Sequence, residues 1–323
     1  MTRNLLVIGG SGFIGAHVVA RAAADGWSVT SVDPSPARTA VGYNMRNHPL
    51  FRHASISDKA SLTAIAKEFR PDAAVSLAAF GVGTDGLAGG AASDPAQAIR
   101  VNVEGVVNLI EVLRDVECRT FIHSSSSTVY GPCIPADAAG VPEDVPLQPE
   151  NVYGATKLAA EHIARLLGEA YGIRVASARL PLVYGEGRWY GGSQDALVRL
   201  ASDLASGRSG AIDAWTSLAD WMYATDAARC LLALADHDQA AGSYNVSGHR
   251  GSLYHLATAL VHTMSASDRA TIREVRAGGP QVPLMDTTRV EQDVGFRPSV
   301  ETAERGAALY AAALLQQNTR QDR

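Results

Sequence analysis

The sequence is short of the features that mark secreted, metal-binding, membrane-spanning or nucleic-acid-binding chains. Three cysteines in 323 residues, Cys118, Cys133 and Cys230, are too few and too scattered for a disulfide framework or a zinc site. A reducing, cytoplasmic setting is therefore expected, and Cys133, with no base beside it, reads as an incidental thiol. The nine histidines show no ligand spacing such as H-E-x-x-H, so no metal is expected, and His123 reads as a satisfied core residue. No apolar run reaches the roughly 18 residues of a membrane span. The start, "MTRNLLVIGGSGFIGAHVVA", is basic and then apolar as a secretory leader is, but four glycines break the run. Charge of one sign is not in excess either. Lys and Arg number 28 against 33 Asp and Glu, a net charge of -5 with neither a charged tail nor a basic footprint, which excludes a nucleic-acid partner.

What is present is core material: 46% of the chain is hydrophobic, enough for one large domain or two coupled ones. Short apolar runs alternate with segments of helical period. Strands are expected at "NLLVIGG", "SVTSVD", "DAAVSLAA", "RTFIHSSS", "RVASARL" and "SYNVSG". Helices are expected after Phe13 and over 59–69, 96–115, 153–171, 194–206, 252–265 and 300–317. This alternation implies an α/β fold, a doubly wound parallel sheet of Rossmann type with helices on both faces. After residue 180 the pattern loosens into a smaller, mixed C-terminal substrate domain. The expected division is 1–179, joined by elements from about 220–248, for the dinucleotide, and 180–219 with 249–323 for the substrate. "FGVGTDGLAGG" at 80–90 reads as a mobile loop.

"GGSGFIG" places Gly9, Gly12 and Gly15 between a strand and a helix. Such glycines allow a tight turn and let backbone approach a pyrophosphate, to which the helix N-terminus offers free N–H groups. Asp33 ends the next strand 18 residues beyond Gly15, where a carboxylate can accept from ribose hydroxyls and repel a 2′-phosphate. NAD is favoured, and Arg38 nearby leaves NADP open. The segment "ENVYGATKLAAEHIARLLGEAYG" carries Tyr153 and Lys157 four residues apart, one above the other on a helix face. A free phenol titrates near 10, and an ammonium beside it favours the anion, which suits proton transfer. Four serines in "HSSSSTVYG" follow a strand at the sheet edge where open α/β folds bind ligands.

Taken together, "GGSGFIG", "SLAA", "NVEGVVNLIE", "SSSSTVYG", "YGATK", "RLPLVYG", "DWMYATDAA" and "YNVSG" resemble the extended short-chain dehydrogenase/reductases, also called the NAD-dependent epimerase/dehydratase family. The resemblance spans nearly the whole chain. It implies a triad of Ser126, Tyr153 and Lys157. It also implies that Phe13, Ile14, Ile56, Ser57, Asp58, Leu77, Ala78, Ala79, Asn102, Ser124, Pro181 and Val183 surround the cofactor with the glycines and Asp33. Arg179 and Tyr184 then belong to the strand and loop that lead into the substrate region, with Phe80, Ser127, Thr128, Arg188, Trp189 and Trp215 as candidate substrate contacts. The family's dimers pair the helices that correspond to 96–115 and 153–171, so a homodimer is expected.

Three departures bear on the substrate. Family dehydratases carry an Asp–Glu pair after the catalytic Ser or Thr; here Ser127 and Thr128 stand there and cannot eliminate water. Leu182 replaces the Asn of R-x-F-N-V-Y-G, and Ala219 replaces an Arg that grips the substrate pyrophosphate. Losing both points to a smaller hydroxylated substrate, such as a sugar, sugar acid or polyol, unless Arg188 or Arg208 compensates. The expected activity is NAD-dependent hydride transfer to or from a secondary alcohol or ketone. The alternatives are an NAD-retaining sugar or nucleotide-sugar epimerase and a non-catalytic NAD-sensing scaffold.

Overall fold

A computed structural model describes residues 3–35, 51–81, 85–132, 140–188, 191–192, 194–276 and 278–321. Arg38, Cys133 and Trp189 lie outside the described residues.

The apolar runs form the expected parallel sheet because both of its faces are covered. Its strands are β1 (Asn4–Ile8), β2 (Ser28–Asp33), β3 (Phe51–His53), β4 (Ala73–Ser76), β5 (Thr120–Ser126), β6 (Arg174–Leu180) and β10 (Gly242–Asn245). They lie in the order β10-β6-β5-β4-β1-β2-β3, and every pairing is parallel. From β1 the chain runs outward through β2 and β3, then crosses back to β4 on the other side. The crevice at that reversal opens beyond the carboxyl ends of the strands.

Helices α1 (Phe13–Ala24) and α8 (Ala224–Asp236) cover one face. On the other lie α2 (Lys59–Phe69), α5 (Gly105–Asp115) and α6 (Val152–Tyr171). The helix expected over 96–115 is made of α4 (Pro95–Ile99), one π-helical turn (Arg100–Glu104) and α5. The loop expected at 80–90 differs more: Gly86–Ser93 form a helix, α3, against α6. Residues 82–84 of that stretch lie outside the described residues.

The C-terminal part builds its own core around Trp215, Trp221 and Leu256. It contains α7 (Asp195–Ala205), α9 (Leu253–Thr263) and α11 (Ala303–Gln321). One small sheet joins β11 (His249–Gly251), β9 (Ala219–Tyr223) and β7 (Leu182–Tyr184); another joins β12 (Ala270–Val275) and β8 (Gly210–Trp215). A short α10 (Thr288–Val294) packs beside β10. Within 220–248, α8 and β10 belong with the large sheet, whereas β9 pairs in the small one.

Candidate active site

The glycine loop turns sharply between β1 and α1. Gly9 adopts φ +80, and an added Cβ there would meet the Ala78 nitrogen at 2.9 Å. A side chain is excluded by both the backbone conformation and the space. Gly9 N–H donates to Val32 O at 2.8 Å, which ties the loop to β2. Asp33, at the end of β2, accepts from Ser35 N–H at 3.0 Å. Burial lifts its carboxyl above the ordinary range, against the pull of the Ser35 and Ser11 N–H groups.

On the far side of the cleft, α6 starts at Asn151, whose extended backbone and Oδ1, accepting from Gly154 N–H at 2.8 Å, make an N-cap. A Cβ on Gly154 would lie 2.6 Å from Thr128 O, so the first turn of α6 presses directly on the serine turn. That contact sets Tyr153 beside Ser126–Thr128. Lys157, one helical turn on, is buried and donates to Ser124 O at 2.8 Å; its Nζ sits 5.8 Å from the Tyr153 ring centroid. Burial pulls its ammonium from 10.5 to about 8, opposed by the Glu161 carboxylate. Ser126 Oγ accepts from Thr128 N–H at 3.3 Å and from Thr128 Oγ1–H at 3.0 Å.

One cleft of about 450 Å³ runs between these two parts. Its lining includes Gly9, Gly12, Phe13, Ile14 and Gly15 of the glycine loop, Leu77, Ala79, Pro181 and Val183, and Ser124, Ser126, Ser127, Thr128, Tyr153 and Lys157. Arg188 faces it as well, its guanidinium 5.7 Å from the Phe13 ring centroid and donating to Val183 O at 3.4 Å and Gly191 O at 3.2 Å. A cleft lined by a glycine cradle and a helix N-terminus fits a dinucleotide.

Other expected residues do not line the cleft. Trp215 is 4% exposed and stacks on Trp221 at 5.6 Å, so it packs the C-terminal core instead of meeting substrate. Phe80 backs Tyr153 within a small apolar cluster. Asn102, in the π-helical turn, accepts from Phe80 N–H at 2.8 Å and donates to Thr156 Oγ1 at 2.9 Å; it braces α6 rather than forming the wall. Ile56 is core beneath Gly105, and Ser57 N–H donates to Ser55 Oγ at 3.2 Å. Asp58 caps α2 through Ser61, which holds its carboxyl below the usual range. Ala78 lies behind Gly9.

Arg179 sits on β6, the strand that runs to the cleft at Leu180–Val183, while Glu161 holds its guanidinium in the core; Tyr184 bonds His249 Nε2 at 2.9 Å in an aromatic cluster. Arg208 pairs with Asp203 on the surface. His123 is core but not satisfied: neither ring nitrogen has a hydrogen-bond partner among the described residues, and burial beside Lys157 keeps the ring neutral.

Two contributors escaped the sequence reading. Thr156, whose Oγ1 donates to Tyr153 O at 2.8 Å, is visible only as a polar residue one turn beyond Tyr153. Pro280, Gln281 and Val282 line the cleft from a strap far along the chain, and no local signal announces them.

The sequence model of the NAD dependent epimerase/dehydratase family matches residues 5–247. A UDP-glucose 4-epimerase of Mycolicibacterium smegmatis is 29% identical over 308 residues, covering 93% of this chain and 95% of its own. Among solved structures, a UDP-glucose-4-epimerase of Stenotrophomonas maltophila with bound NAD and formylated UDP-arabinopyranose aligns with a TM-score of 0.82 at 22% identity, over 99% of both chains. An L-threonine dehydrogenase of Clostridium difficile aligns with a TM-score of 0.78 at 19% identity, over 99% of this chain and 98% of that one.

Proposed function

The chain belongs to the NAD dependent epimerase/dehydratase family, and from that premise we propose that it is an NAD-dependent oxidoreductase interconverting a secondary alcohol and a ketone on a small hydroxylated substrate. One observation carries the reading: Tyr153, Lys157 and the Ser126–Thr128 turn face the same cleft as the Gly9–Gly15 loop. NAD bound along the cleft supplies the hydride acceptor or donor. Tyr153 takes the hydroxyl proton in oxidation and returns it to the carbonyl in reduction. The Lys157 ammonium, fixed by Ser124 O, stabilises the phenolate. Ser126 holds the substrate oxygen and is itself aligned by Thr128. Asp33, a half-buried acceptor at the end of β2, favours NAD over NADP through the ribose hydroxyls.

The substrate is a sugar, sugar acid or polyol. Leu182 presents an apolar side chain to the cleft and Ala219 is buried, so neither position grips a pyrophosphate. Residues 1–179 with α8 and β10 hold the dinucleotide, and the C-terminal core carries the substrate wall. The protein is a homodimer through α4–α5 and α6, where Ile99 is 46% and Leu166 54% exposed. Size measurement in solution tests this, and a monomer at micromolar concentration contradicts it.

A second reading, epimerisation with the hydride returned to the opposite face, is favoured by the Mycolicibacterium relative. A screen of NAD reduction across uronic acids, aldoses, polyols and UDP-sugars separates the two. Net NADH formation that disappears in Tyr153→Phe, with NAD binding retained, supports the oxidoreductase. Tightly held NAD and product inversion without NADH support the epimerase. Turnover by Tyr153→Phe overturns both, and NAD binding with no turnover of any substrate class leaves a sensor.

A further inference from the structure

Two of the most thoroughly buried charges in the protein face each other behind the catalytic helix. The side chains of Glu161 on α6 and Arg179 on β6 are 3% and 4% exposed. Arg179 Nη2 donates to Glu161 Oε2 at 2.9 Å and Nε to Oε1 at 3.1 Å, and Ser243 Oγ adds a third donor to Oε2 at 3.0 Å. Burying two charges costs solvation that their attraction barely recovers, and an apolar pair of the same volume is often as stable. Stability alone is therefore a weak physical reason for this pair.

Its connections suggest another. Glu161 continues the spacing of Tyr153 and Lys157, one turn farther along the same face of α6. From the other side, Arg179 Nη1 donates to Tyr130 Oη at 2.7 Å and to Glu143 O at 2.9 Å. Tyr130 closes the turn Ser127–Val129, and its own hydroxyl donates to Asn245 Oδ1 at 2.6 Å. Asn245 Nδ2 in turn donates to Val141 O, and Val141 pairs through its backbone with Leu284 and Asp286 in the strap that brings Pro280–Val282 to the cleft. One ion pair thus joins the helix of the base to Tyr130 at the end of the serine turn and, through Tyr130 and Asn245, to the anchor of the strap.

We propose that Glu161 and Arg179 form a positioning unit for the reaction: the pair sets the spacing between the Tyr153–Lys157 helix and the serine turn, and Glu161 keeps a negative charge one turn below the catalytic ammonium. The inference rests on the reading of Tyr153 and Lys157 as the proton-transferring pair. Among the described residues, the charged and titratable groups around Lys157 are Tyr153 and Glu161 on its own helix and His123 on β5, which burial keeps neutral. Glu161 is thus the neighbour that supplies opposite charge, and Arg179 partly offsets it.

The test compares Glu161→Gln, Arg179→Met, the double apolar variant Glu161→Met/Arg179→Met and Tyr130→Phe by NAD titration, thermal melting, and kcat and KM across pH. Should a single charge variant fail to fold, the double variant, which leaves no unpaired charge, and Tyr130→Phe, which leaves both, carry the comparison. The double variant is expected to melt near the wild type and bind NAD within about 3-fold, while kcat falls about 10- to 100-fold because a misplaced catalytic group is costly. The upper limb of the kcat profile, where Lys157 loses its proton, moves to lower pH in Glu161→Gln and to higher pH in Arg179→Met. Tyr130→Phe lowers kcat about 5-fold with the limb unmoved. A folded double variant with wild-type kcat and an unmoved limb overturns the proposal. Turnover by Tyr153→Phe instead overturns the reading beneath it, so the two failures are distinguishable.

Discussion

Two of the protein's phenol–cation pairs, Tyr130 with Arg179 and Tyr153 with Lys157, differ in their access to the cleft. Tyr130 has the closer cation: the Arg179 guanidinium lies 5.0 Å from its ring centroid and is hydrogen-bonded to its hydroxyl. Yet Tyr130 is fully buried, and burial raises its phenol above the ordinary 10 in spite of Arg179. Tyr153 has its cation at 5.8 Å, but it lines the cleft. A neighbouring cation by itself does not make a proton-transfer group; a cation beside a phenol that a substrate can reach does. The inner pair joins the walls, and the outer pair faces the cleft between them.

The sharpest contrast is expected between the two phenols. Tyr153→Phe should lower kcat by about 10³-fold or more while leaving the NAD dissociation constant within about 3-fold, as removal of a general acid–base does. Tyr130→Phe should lower kcat only about 5-fold and lower the melting temperature, because it leaves Asn245 Oδ1 without its donor. Equal effects at the two positions would erase the distinction. Next in size, Lys157→Met should cost about 10²-fold in kcat.

The same substitution has a pH signature in stability. Burial takes Lys157 from 10.5 to about 8, so between those values the unfolded chain binds more protons than the folded one. The wild-type contribution from this group therefore improves as pH rises through that window, and its full cost is felt below it. Melting curves should show Lys157→Met gaining on the wild type most at neutral pH, with the gain fading above about pH 8 and gone beyond the unfolded value. A difference independent of pH would contradict a buried ammonium. The smallest effect should come from Thr156→Val, which removes the link from Asn102 to the Tyr153 carbonyl. A loss of about 1 kcal/mol in stability and a few-fold fall in kcat are expected, read by denaturant unfolding and steady-state rates.

These contrasts also show what was legible in the chain. Tyr153 and Lys157 announce themselves by helical spacing, the glycine loop by its place between strand and helix, and the parallel sheet by alternating periods. Such features are local, with partners within a few residues or one element. Arg179 and Tyr130 are 49 residues apart and meet only because β6 lies beside β5. The strap at Pro280–Val282 and the pairing of β9 away from the large sheet are equally nonlocal. Trp215, a candidate substrate contact, is packed in the C-terminal core because stacking on Trp221, a partner no local pattern reveals, buries its ring. The helix at Gly86–Ser93 was read as a loop because glycine disfavours isolated helices, a penalty that packing against α6 outweighs.

The most direct test of the account is a crystal structure of the protein with NAD and a non-reacting substrate analogue. It should show the Tyr153 hydroxyl within hydrogen-bonding distance of the analogue's reactive oxygen, Ser126 on that same oxygen, and Lys157 between Ser124 O and the cofactor. A phenol turned away from the nicotinamide end, with the analogue's oxygen held by other groups, would contradict it.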